Sequence, residues 1–97
     1  MFHILKVSVW QSGDGKNWYL GDVESLGHNS GAWWHIPRLL NIPLEQYPEY
    51  LKKKGATKIS YNKDANVLHF AFVDYNKINK LKLEINALAR KKRFVIQ

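Results

Sequence analysis

Apolar and polar positions alternate over "HILKVSVW" at residues 3–10, placing Leu5, Val7 and Val9 on one face of a strand and Lys6, Ser8 and Trp10 on the other. "SGDGK" follows, and its Asp-Gly step is a hairpin-turn signal, so "NWYLGDV" at 17–23 is expected as the returning strand. Residues 25–32, "SLGHNSGA", lose all periodicity and predict a loop. Pro37 and Pro43 each suit the first turn of a helix and push the residue before them toward an extended shape, which predicts a short helical turn over 37–41. From Pro43 onward Leu44, Tyr47 and Leu51 recur at helical spacing, with Glu45 and Glu49 early and Lys52, Lys53 and Lys54 late, the favourable order for a helix dipole. A helix over 43–54 follows, with Gly55 as its stop and with Pro48 either kinking or beginning it.

"TKISYNKDANVLHFAF" predicts a second hairpin with strands at 57–62 and 67–73. Pairing Asn62 with Val67 sets Tyr61 opposite Leu68, Ile59 opposite Phe70 and Thr57 opposite Phe72, so every large apolar side chain shares one face. Ser60 then meets His69, and Lys58 meets Ala71, on the other face. The last long segment carries Ile78, Leu81, Ile85 and Leu88 as a narrow helical stripe over 75–92, with Asp74 as N-cap and Leu83 well off the stripe. "RFVIQ" has the composition of a short final strand. The order β, β, α, α, β, β, α predicts an α+β fold: two antiparallel hairpins packed with helices.

The chain has 97 residues, the size of one domain, and its 45% hydrophobic content is that of a globular protein. It has no cysteine, so neither disulfides nor thiolate metal sites contribute to stability, which suits a reducing compartment. "MFHILKVSVW" lacks the basic start and apolar block of a secretory signal, and no apolar run approaches the ~20 residues of a membrane span. A soluble protein of the cytoplasm with no membrane contact is expected. The net charge of +7 is unevenly divided. Residues 1–50 hold three cations, five anions and all four tryptophans, whereas residues 51–97 hold twelve cations against three anions. Such asymmetry draws polyanions to the second half.

Little in the sequence suggests enzyme chemistry. His3, His28, His35 and His69 lack the close spacing of metal ligands, no serine sits in a nucleophile context such as G-x-S-x-G, and "SGDGK" is too short for a phosphate loop. No cofactor, metal or catalytic residue is assigned. One enzyme class survives: a small basic ribonuclease, which needs no short motif, with His69 beside Lys58 and with His35 and Arg38 nearby as the constellation.

More residues support binding. Lys77, Lys80, Arg90, Lys91 and Arg93 on the last helix, Lys52, Lys53 and Lys54 before Gly55, and Lys58 and Lys63 on the hairpin form a candidate phosphate-contacting set. No DNA-reading motif accompanies them, so contact without sequence preference is expected. Trp33 and Trp34 are adjacent and cannot both face one core, so one of them is expected to be partly outside. With Arg38, Trp34 is the candidate anchor for a base or a protein partner.

The succession "WW", "PRLLNIPLEQYPEYLKKKGA", "NVLHFAF" and "LEINALARKK" over residues 33–92 resembles small uncharacterised proteins of phages and prophages of low-GC Gram-positive bacteria. That resemblance carries no motif with an assigned activity. It implies a bacterial host cell and two non-enzymatic readings. In the first, the basic half binds DNA or RNA. In the second, the protein inhibits a host defence machine, such as a CRISPR effector or a restriction nuclease, by contact with a host protein or nucleoprotein complex.

Overall fold

A computed structural model describes residues 3–22, 32–62, 64–65 and 67–96, and within it the chain has the expected α+β architecture. The elements in order are β1 (His3–Ile4), β2 (Val7–Gln11), β3 (Trp18–Asp22), α1 (Ala32–Leu40), a single 3-10 turn (Leu44–Gln46), α2 (Tyr47–Lys54), β4 (Lys58–Asn62), β5 (Val67–Ala71), α3 (Tyr75–Lys92) and β6 (Val95–Ile96). The expected loop at 25–32 lies outside the described residues as far as residue 31, as does Lys63. α1 includes Trp33 and Trp34, but their side chains lie outside the described residues.

The strand expected at 3–10 is divided between two partners. His3 and Ile4 pair with Ile96 and Val95 of the final strand, whereas Val7 to Gln11 pair with β3. The change occurs at Leu5, whose N–H reaches the carbonyl of Phe94 at 3.3 Å. In the first hairpin Ser12 N–H bonds the carbonyl of Asn17 at 2.9 Å, and Gly15 takes the left-handed φ of 74° that the Asp-Gly step anticipates. Asp14 closes this turn by accepting from the Ser12 hydroxyl and from the Lys16 N–H. Those two donors, the hydroxyl first, hold its carboxyl below the ordinary aspartate range, with a smaller contribution from Lys58.

The second hairpin has the register that its apolar pattern requires: Asn62 with Val67, Tyr61 with Leu68, Ser60 with His69, Ile59 with Phe70 and Lys58 with Ala71. The ladder stops one pair early. Thr57 N–H donates to the carbonyl of Ala71, and Phe72 instead exchanges two bonds with Trp18 of β3, at 2.7 and 3.0 Å. That bridge joins the two hairpins edge to edge, and among the described residues no further strand pairing links them.

α1 starts five residues before the expected turn and carries Pro37 inside it. The missing proline N–H is offset by packing, because Ile36, Pro37 and Leu39 are all buried. Asn41, at φ 60°, ends the helix. The segment expected as one helix over 43–54 is divided as well: Pro43 is extended, a 3-10 turn follows, and α2 proper opens with Pro48 in its first turn. Pro48 therefore begins a helix and does not kink one. Gly55, at φ 114°, caps it in the left-handed conformation.

One core lies between the helices and the inner sheet face. Leu5, Val7, Leu20, Ile36, Leu39, Tyr47, Leu51, Leu68, Phe70, Phe72, Ile78, Leu81 and Ile85 are its largest buried members. On α3 the buried line runs through Ile78, Leu81, Ile85 and Ala89, leaving Leu88 at its margin, where a strict stripe would have buried it. Asp74 caps α3 by accepting from Asn76 N–H at 2.9 Å. Asn86 is a buried polar side chain whose amide is paired at both ends: Oδ1 accepts from Val7 N–H at 2.8 Å and Nδ2 donates to Val7 carbonyl at 3.1 Å.

Candidate nucleic-acid interface

The basic residues divide into groups by the elements that carry them. α2 ends in Lys52, Lys53 and Lys54, and Gly55 turns the chain sharply enough for α3 to lie against this end. A groove of about 290 Å³ results, lined by Lys53, Lys54, Lys77, Lys80, Leu81 and Glu84 around Gly55. Gly55 shapes it directly. A Cβ there would come within 2.5 Å of Lys77 Cδ, so the absence of a side chain lets the Lys77 stem lie flat over the turn.

Lys54 is the committed member of the set. Its ammonium contacts Glu84 Oε2 at 3.0 Å and sits 5.5 Å from the centre of the Tyr50 ring. The hydrogen bond to Glu84 raises the Lys54 pKa, and burial raises that of the Tyr50 phenol. An exposed pair of this kind adds ~0–1 kcal/mol and serves mainly to orient the chain. With Glu84 neutralising Lys54, the groove keeps the charges of Lys53, Lys77 and Lys80. Lys52 is exposed beside them but does not line the groove.

The other end of α3 holds Arg90, Lys91 and Arg93, all exposed. Lys80, Glu84, Ala87 and Lys91 follow the i, i+4, i+7, i+11 spacing of a single outer face, and at 1.5 Å per residue Lys80 and Lys91 stand ~16 Å apart along the axis. Part of this charge has a structural role. Cations in the last turns of α2 and α3 face the negative ends of their helix dipoles, Arg93 is the left-handed cap of α3 at φ 52°, and Lys92 Nζ bonds the Leu39 carbonyl at 3.3 Å.

Lys58 does not join the groove. The hairpin register sends it, with Ser60 and His69, to the sheet face opposite the core, where they line a separate concavity with Tyr19. Arg38 is exposed on α1, and neither it nor His35 lines that concavity. His35 instead packs edge-on to Phe94 at 6.3 Å, with its Nδ1 buried and without a protein partner. The ribonuclease constellation is thus brought together only in its Lys58 and His69 half. The side chain of Trp34 lies outside the described residues.

Sequence reasoning missed Tyr19, Tyr50 and Glu84 as site-shaping residues. Tyr19 was legible from strand alternation, since it is out of phase with buried Leu20. The Glu84 contact spans thirty residues of sequence and had no local signal. Among the described residues no group of three or more His, Cys, Asp or Glu side chains could hold a metal ion, and no helix is long and apolar enough to cross a membrane. No family model, curated protein or solved structure matches the chain.

Proposed function

We propose that the protein is a non-enzymatic module that binds the phosphate backbone of nucleic acid through the α2–α3 groove and the outer face of α3, in the cytoplasm of a bacterial host. The observation that supports this reading most is the convergence of Lys53, Lys77 and Lys80 on one groove from two separate segments, with a glutamate that neutralises only Lys54. Lysine ammoniums are compact point charges without the planar fork of arginine, and they suit phosphate contact without base reading.

Fluorescence anisotropy with labelled duplex and single-stranded oligonucleotides, across ~50–300 mM salt, tests it. Four phosphate contacts, from Lys53, Lys77, Lys80 and Lys91, give a log–log slope of about −3.6 on duplex DNA. Lys77→Glu/Lys80→Glu should remove binding, while Lys6→Glu/Lys16→Glu, an equal change of charge on the first hairpin, should weaken it only modestly. Equal losses from the two double variants would reduce the groove to a solvated face. No binding at the lowest salt would direct attention to a protein partner.

A further inference from the structure

Among the described residues the Trp18–Phe72 bridge is where the two hairpins share backbone hydrogen bonds, and a hollow opens beside it. The hollow measures about 510 Å³, within the range of small-molecule sites. Ala71, a small residue, lies among its lining side chains, and cross-strand pairing fixes the rest: Lys58 is opposite Ala71, and Ser60 is opposite His69. Tyr19 is 40% exposed and reaches it from β3. The Tyr19 ring, the His69 imidazole, the Ser60 hydroxyl and the Lys58 ammonium therefore line one cavity, together with Ile59 and Phe70. No lysine of the α2–α3 groove lines this cavity.

We infer that this hollow is a nucleotide subsite, in which Tyr19 stacks on a nucleobase and Lys58 meets its phosphate. The chemistry selects that ligand class. A lone ammonium beside an exposed tyrosine favours a planar ring that carries a single anionic group, and the hydroxyl of Ser60 supplies a hydrogen bond to the base edge or the sugar. The subsite is independent of the helical groove, since no groove lysine lines it.

The test is an NMR titration of the full chain with 5′-AMP, with adenosine and with hexaadenylate, monitoring Tyr19, Ser60 and Ala71. Both small ligands should shift these signals. Tyr19→Ala should weaken AMP and adenosine alike, by roughly five- to a hundred-fold, the range of one base–aromatic stack, while Tyr19→Phe keeps both. Lys58→Glu should weaken AMP several-fold and leave adenosine unchanged, which a general loss of folding would not do. A larger Tyr19→Ala loss for hexaadenylate than for AMP identifies a strand as the source of the nucleotide, and equal losses identify a free nucleotide. The inference is overturned if millimolar AMP leaves the Tyr19 signals unmoved, or if Tyr19→Ala binds AMP as the unaltered protein does. Neither result depends on the salt response of the lysine groove.

Discussion

Replacing Asn86 with alanine should cost this small domain a large share of its stability. The side chain forms two hydrogen bonds to Val7, and parity along the hairpin explains why they matter. Because Ser12 and Asn17 are a hydrogen-bonded pair, the pairs Trp10–Tyr19 and Ser8–Gly21 are bonded too, while Val9–Leu20 and Val7–Asp22 are not. The amide and carbonyl of Val7 therefore point away from β3, and Asn86 stands where a further strand would supply partners. Val7 is 2% exposed, so water cannot replace the lost amide without opening the core. Two net hydrogen bonds are worth ~1–3 kcal/mol together, and a buried group left unpaired adds ~1–3 kcal/mol more, so Asn86→Ala should cost about 2–6 kcal/mol. At ~4–8 °C per kcal/mol for a chain of 97 residues, that lowers Tm by roughly 8 °C at the least.

Urea unfolding followed by far-ultraviolet circular dichroism measures the loss, and amide exchange locates it: Val7 N–H should lose protection in excess of Ser8 N–H. Asn86→Asp sharpens the test. A carboxylate still accepts from Val7 N–H but has nothing to donate to its carbonyl, and burial raises its pKa. Its contribution is then present at low pH, where the acid is protonated, and lost as pH rises through the folded pKa, so the deficit relative to the unaltered protein should shrink on acidification. A cost below ~0.5 kcal/mol for Asn86→Ala, or a pH-independent deficit for Asn86→Asp, would refute the clamp.

Two further outcomes follow from buried and local polar groups. Tyr47 is fully buried with its hydroxyl unpaired, so Tyr47→Phe should stabilise the protein by about 1 kcal/mol in the same urea assay; a loss of stability would mean that the hydroxyl has a partner, such as a buried water. Asp14 should titrate below the ordinary aspartate range in a carboxyl NMR experiment, and Ser12→Ala should move its midpoint upward. Its stabilising effect on the turn is present above the ordinary pKa and lost as pH falls through the folded one. A midpoint unmoved by Ser12→Ala would show that the Ser12 hydroxyl does not set it.

The contrast between the second hairpin and α1 shows what the sequence could and could not reveal. Period-two alternation on both sides of Asn62 and Val67 leaves one register that buries Leu68, Phe70 and Phe72 together, so strand pairing was legible from the chain itself. Asp74 and Gly55 were legible for the same reason, since each acts on its immediate neighbours. Pro37 misled because proline's local preference argues for a helix start, while burial of Ile36, Pro37 and Leu39 rewards a helix that runs through it. Asn86 gave no local signal: it lies next to Ile85 on the buried side of α3, and its partner is 79 residues away. Contacts of that span leave no periodic trace.

The site follows the same division, and this bears on how charge in such a chain is to be weighed. Twelve cations in one half of a sequence suggest a single basic surface, but folding distributes them over different tasks. Lys54 is paired with Glu84, Lys92 holds the Leu39 carbonyl, Arg93 caps α3, and Lys58 is sent by strand parity to the opposite face of the sheet. What remains concentrated is the trio Lys53, Lys77 and Lys80 in the groove beneath Gly55, extended by Lys91 along the helix. Under the proposed function, composition sets the sign of the partner, and the geometry of α2 and α3 limits how many phosphates the groove would engage at once. A measured salt slope well above about −4 in magnitude would therefore require cations from beyond the groove, and the exposed Arg90 and Arg93 at the far end of α3 would be the next to reverse.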